Sequence, residues 1–178
     1  MKKTVFGSII ATVVITGSLA FAHCEIPCGI YGDRMRIEQL REHFRTLEKS
    51  MKQVVELQKA EDIDYNQLVR WVNNKELHAN KVQEIVYQYF MNQRITPVEK
   101  GDAEAYEKYV EQLTLLHGML VHAMKSKQTT DIKHVEELRE LVDAFEEAYF
   151  EDDEVDDKGK KTGKQDHGHE HGHMPHKR

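Results

Sequence analysis

His23-Cys24-Glu25-Ile26-Pro27-Cys28-Gly29-Ile30-Tyr31 contains both cysteines of the 178-residue chain. What this stretch can do depends on what precedes it. Residues 1–22 begin with Lys2 and Lys3, run apolar over residues 5–21 and close on Ala20-Phe21-Ala22, the small-residue pattern at which an export signal is cut. Cleavage there makes His23 the new N-terminus and frees its α-amine, whose reference pKa of roughly 7.7–8.0 is the lowest of any amine in a chain. The amine and the Cys24 amide nitrogen close one five-membered chelate ring, and the Cys24 thiolate closes a second. Pro27 holds its own φ near −65°, so the chain can turn back and offer the Cys28 thiolate, while Gly29 lets the backbone pass close to a bound ion. Two nitrogens and two sulfurs in a plane suit a d8 ion such as Ni(II), or Cu(II). The His23 imidazole is left for an axial position.

Anionic thiolates and an amidate push electron density onto such an ion and lower its potential, which brings a one-electron cycle within reach. Zinc gains nothing from this donor set, having no redox chemistry and preferring a tetrahedral site. The other use of the cysteines, a Cys24–Cys28 disulfide, closes too short a loop to stabilise a large core by chain entropy. Lipidation of Cys24 is disfavoured because His23 stands where a small residue is expected.

The elements that must hold this stretch are helical. Removing 22 residues leaves 156, enough for one domain with a core. The mature chain has 23 basic against 31 acidic residues, a net charge of −8, which argues against nucleic acid as a partner. After the leader no stretch reaches the roughly 18 apolar residues of a membrane span, so no membrane association is expected after cleavage. Four amphipathic segments follow. The first begins after Gly32-Asp33, ends near residues 58–60 and carries Ile37, Leu40, Phe44, Leu47, Met51 and Val54 on one face. Asp64 caps the second, whose inner face is Leu68, Val72, Ala79, Val82, Val86 and Tyr89, and which stops near Asn92 ahead of Thr96-Pro97. Gly101-Asp102 opens the third, with Tyr106, Tyr109, Leu113, Leu116, Leu120 and Met124 as its stripe and residues 125–128 as a polar link. Thr130 caps the fourth, with Ile132, Val135, Leu138, Val142, Phe145 and Tyr149 facing inward.

The expected fold is therefore all-α, an antiparallel four-helix bundle over residues 33–150. It follows a leader (1–22) and a metal hook (23–32) and precedes a disordered tail (151–178). The tail is first acidic and then rich in histidine, with five of the chain's eleven histidines between His167 and His176, a density suited to reversible binding of Ni, Zn or Cu.

The pattern His23-Cys24-x-x-Pro27-Cys28-Gly29-x-Tyr31 resembles the N-terminal hook of nickel-containing superoxide dismutases. The resemblance in architecture runs on through the bundle to about Phe150 and leaves out the leader and the tail. It implies one nickel per subunit, cycling between Ni(II) and Ni(III) as two superoxide ions and two protons become O2 and H2O2. It also implies a homo-hexamer and a leader peptidase that exposes His23. Carried over by residue, His23 supplies the amine and axial imidazole, Cys24 its amide nitrogen and thiolate, and Cys28 the second thiolate. Tyr31 corresponds to the tyrosine over the open metal face, Glu38 to the acid that hydrogen-bonds the His23 ring, and Tyr89 to a second tyrosine near the site. Arg70 is the candidate for the arginine that supports that ring.

Glu25 stands where the family more often has Asp, and the spacer from Tyr31 to Glu38 is one residue shorter. The leader reads as one for export, placing the protein in the periplasm or outside the cell, whereas many family leaders are not secretion signals, which leaves a cytoplasmic location as the alternative. A different function for the same residues is an extracytoplasmic nickel buffer or sensor, supported by the His-rich tail. The remaining histidines, His43, His78, His117, His122 and His134, fall within the helical segments and are read as surface or interhelical polar groups.

Overall fold

The computed structural model describes residues 29–150, and the leader, the ligand positions His23, Cys24 and Cys28, and the tail lie outside the described residues. The chain divides between Gly32 and Asp33. In the short piece before that boundary, Gly29 takes φ 72°, the left-handed region that glycine enters without a Cβ penalty. A Cβ placed there would meet nothing within 4 Å, so the demand on Gly29 is conformational rather than steric.

From Asp33 onward there are four helices and, among the described residues, no strand: α1 (Asp33–Leu57), α2 (Tyr65–Glu84, continuing as a π-helical segment, Ile85–Arg94), α3 (Ala103–Gln128) and α4 (Lys133–Phe150). Cross-helix bonds give the direction of each. Arg41 reaches Asp143 and Glu146 while Arg139 reaches Glu48, so α1 and α4 run opposite ways. Lys75 on the Ser126 carbonyl and Gln83 on the Leu120 carbonyl do the same for α2 and α3, and Gln112 on the Ala148 carbonyl with His122 against His134 for α3 and α4. The result is the expected antiparallel bundle, with α1 and α3 each packed against both α2 and α4.

All six apolar positions expected on α1 are buried, from Ile37 to Val54. The α4 stripe is equally faithful, since only Ile132 of its six members is partly exposed. Two stretches depart from expectation. Val72, placed in the core by its spacing, is 36% exposed, and Lys75 is buried instead. The α3 face is also rotated: Gln112, Leu116, Met119, Ala123 and Ser126 point inward, and Met124 outward. Polar satisfaction permits this. Gln112 donates to the Ala148 carbonyl at 3.0 Å and the Ser126 hydroxyl to the His122 carbonyl at 2.9 Å, so neither buried group is orphaned. Close approach of α4 adds a second reason, because a Cβ on Gly118 would come within 3.0 Å of Leu141.

The end of α3 explains Lys75. Residues 125–128, expected as a link, are the last turn of α3, and the carbonyls of Ser126 and Thr129 accept from Lys75 Nζ at 2.9 and 3.4 Å, together with that of Lys127. A cation at a helix C-terminus answers both the unpaired carbonyls and the negative end of the macrodipole. Asp64 and Asp102 cap α2 and α3 by accepting from Gln67 N and Ala105 N. The turn into α4 uses Thr129 and Asp131 rather than Thr130, with Asp131 Oδ1 accepting from Lys133 N at 3.1 Å. No helix among the described residues is long and apolar enough to cross a membrane.

Replacing Lys75 by Met keeps the aliphatic stem and removes the charge-assisted bonds, each of which contributes about 1.5–3 kcal/mol when buried. Urea unfolding of Lys75→Met should show a loss of about 2–3 kcal/mol with an unchanged denaturant slope.

Candidate metal centre

Asp33 is the first residue of α1 and stands five residues after Cys28 in the sequence. Its carboxylate is 14% exposed and is met by donors from two other elements. Tyr89 OH donates to Oδ1 at 2.5 Å. Oδ2 accepts from Tyr149 OH at 2.8 Å and from Arg94 Nη2 and Nε at 2.7 and 3.1 Å. Burial alone would raise the carboxyl pKa. The bonds from Arg94, Tyr89 and Tyr149 outweigh it and hold the pKa below the ordinary aspartate value. For Tyr149 burial and the neighbouring carboxylate act together and push its hydroxyl well above the ordinary phenol range, so it remains a donor at any physiological pH.

The local fold that makes this cluster is the π-helical segment. Its i→i+5 bonds, of which Ile95 N to the Phe90 carbonyl at 2.9 Å is the last, widen the turn enough that Tyr89 and Arg94, five residues apart, both reach Asp33. Phe90 between them stays buried and packs edge-on to Phe145 and Tyr149, with ring centroids 5.0 and 5.7 Å away. The Arg36 guanidinium lies over the Tyr89 ring at 4.9 Å, and Arg34 over Phe150 at 4.1 Å. Arg36 Nε is buried and has no hydrogen-bond partner among the described residues, although Arg36 Nη1 donates to Gln39 at 2.8 Å.

Of the residues singled out in the sequence, Tyr89 is thus a buried tyrosine bonded to Asp33. Glu38 is on the exposed side of α1, its carboxylate 2.7 Å from Arg41 Nη1; Arg41 also holds Asp143 and Glu146 at 2.7 and 2.6 Å. Tyr31 is 38% exposed. Arg70 lines a surface cleft of about 360 Å³ with Trp71, Lys49 and Asn74, roughly 28 Å along the helix axis from Tyr89 at 1.5 Å per residue. The arginines around Asp33 and Tyr89 are Arg94 and Arg36. Sequence reasoning missed the cluster of Asp33, Arg94 and Tyr149. Asp33 reads as a turn residue and Tyr149 as the last apolar position of a stripe. The available signal was that a phenol hydroxyl at a core position requires a partner.

The model of the family described as nickel-containing superoxide dismutase matches residues 18–153, which includes the hook and all four helices. The chain belongs to the nickel-containing superoxide dismutase family. No curated protein and no solved structure matches it. The protein is accordingly a superoxide dismutase, an oxidoreductase with nickel as cofactor and superoxide as substrate. The residue types of the matched 23–28 stretch fit this metal, since two cysteine thiolates with nitrogen donors beside them would suit a redox-active nickel ion better than zinc.

Because the Asp33 pKa is depressed in the fold, the stability it contributes is present above the ordinary aspartate range and is lost as pH falls through the folded value. Asp33→Asn should therefore lower stability at pH 7 by about 2–3 kcal/mol. It should also flatten the acid limb of the stability profile below about pH 5, as followed by urea unfolding across pH.

Proposed function

We propose that the superoxide dismutase activity resides at a processed N-terminus, with His23, Cys24 and Cys28 as the nickel ligands. The observation that carries this is the family match over residues 18–153, which takes in the only two cysteines of the chain, spaced for chelation behind a leader that can be cut at residue 22. In this reading the bound nickel supplies a one-electron Ni(II)/Ni(III) couple. The protein's own groups do the rest. His23 contributes its amine and its imidazole. Cys24 contributes its amide nitrogen and thiolate, and Cys28 the second thiolate. Tyr31 restricts the open face to small anions and orders water there. Glu38 orients the His23 ring by accepting its N–H, the role that groups behind a ligand commonly play. Tyr89 acts through Asp33 as a positioning residue, since its hydroxyl is already committed to that carboxylate.

Maturation then requires a peptidase that exposes His23. The export-like leader puts the mature enzyme in the periplasm or outside the cell, with a cytoplasmic location following if the leader is a non-secretory propeptide. A homo-hexamer is the proposed assembly. Tyr65, Val69 and Val72, four and three residues apart on α2 and all exposed, offer an apolar face for another copy. The His-rich tail supports a second, additional reading as a nickel reservoir.

Retaining one extra residue ahead of His23 removes the α-amine from its place. Such a variant should keep the helical circular dichroism of the mature protein yet retain no nickel by elemental analysis and show no dismutase activity. An active extended protein would overturn the ligand assignment. Deletion of residues 159–178 separates enzyme from reservoir. The nickel-loaded truncated enzyme should keep its specific activity while losing most of the additional nickel bound by the full chain.

A further inference from the structure

Two pairs of histidines face each other across helix–helix seams, one in each hairpin of the bundle. His43 on α1 and His78 on α2 place their Nδ1 atoms 3.1 Å apart, with ring centroids at 5.0 Å and the planes at 71°. His122 on α3 and His134 on α4 repeat the arrangement at 3.4 Å. Two imidazole nitrogens bound side by side to one first-row divalent ion, each at about 2.0–2.1 Å from it, lie about 2.9–3.4 Å apart for angles between 90° and tetrahedral. The His43–His78 separation is that of an N–H···N hydrogen bond and falls inside that range, so a cation that replaces the shared proton can take both nitrogens by rotation of the rings, with neither helix displaced.

We propose that His43 and His78 form a binding site for a divalent transition-metal cation of the nickel, copper and zinc class, using none of the hook's ligands. Several features favour it. Both side chains stand on rigid helical turns, His43 beside buried Phe44 and His78 beside buried Ala79, so the nitrogens are held in place before a cation arrives. Both imidazoles are held neutral, the form that ligates: burial lowers the pKa of each, and the partner ring and Lys81 lower that of His43 further. Glu42 acts in the opposite direction on both rings and offsets the charge of Lys81 toward a cation. The second pair is the poorer site. Its separation is at the outer edge of the range, and Lys133 and Lys125 act on His134 against the single carboxylate of Asp131. No group of three or more His, Cys, Asp or Glu side chains gathers among the described residues, so water completes the shell. Imidazole ligands select nickel, copper and zinc over magnesium and calcium, which demand oxygen. Two protein ligands with solvent make an exchangeable site rather than a closed structural one.

The test uses the nickel-loaded, full-length mature enzyme with zinc ion as the probe. A cation bridging α1 and α2 binds only the folded state, so zinc at 100-fold excess over its dissociation constant should raise the melting temperature by about 5 °C. His43→Asn and His78→Asn should each remove that rise, whereas His122→Asn should keep it; zinc held by the His-rich tail gives no such rise. In the unmutated enzyme, which avoids any folding defect of the variants, the ring resonances of His43 and His78 should shift together along one zinc titration curve. A zinc-induced rise that survives in His43→Asn and His78→Asn, or His43 and His78 resonances unmoved at saturating zinc, overturns the site.

Discussion

One carboxylate at the start of α1 holds the head of the molecule together. Asp33 is mostly out of water, and an unpaired charge in that position costs several kcal/mol. Arg94 supplies the opposite charge and Tyr89 and Tyr149 two further donors, so that the first residue of α1, the π-helical segment and the last turn of α4 all meet on two oxygen atoms. The apolar seams below cannot do this. Hydrophobic burial is non-directional and tolerates small slides of one helix along another, whereas four hydrogen bonds to one carboxylate permit a single register. Fixing the first residue of α1 in this way sets the register of that helix against the other two elements.

The π-helical stretch is the structural cost of that joint. In a regular α-helix, residues five apart point in divergent directions, and Tyr89 and Arg94 could not both reach Asp33. Widening the turn over Ile85–Arg94 brings them together and keeps Phe90 against Phe145 and Tyr149. The same corner contains Arg36, stacked over Tyr89 with its Nε buried and unanswered among the described residues. An unsatisfied buried donor is uncommon in a native interior, and here the stacking of the guanidinium on the Tyr89 ring accompanies it.

Farther from the head, the bundle uses polar groups in the same way, as joints between helices that are otherwise held by apolar contact. Lys75 closes the end of α3, Gln112 ties α3 to the end of α4, Asn74 donates to Ser50, and Arg41 links Glu38 on its own helix to Asp143 and Glu146 on α4. Each buried member is bonded, which is the condition under which polar groups specify an arrangement instead of weakening it.

The fold was legible in the chain because its evidence is local. Apolar spacing marked α1 and α4 almost residue for residue, Asp64 and Asp102 announced their helices, and the short pattern around the two cysteines pointed to the family. What the linear pattern left undecided were choices that depend on partners far away in sequence. Tyr149 and Asp33 are 116 positions apart, and Lys75 meets carbonyls 51 to 54 positions on. Val72 has the spacing of a core residue but is half-exposed while Lys75 is buried on the carbonyls at the end of α3, and Met124 faces water because α3 turns a different side inward once Gln112 and Ser126 find acceptors and Gly118 admits Leu141. Periodicity is a property of one helix, and sequence alone carries it. Which polar group is buried, and which carboxylate gathers Arg94, Tyr89 and Tyr149, is settled only when several helices compete for the same volume and the same hydrogen bonds.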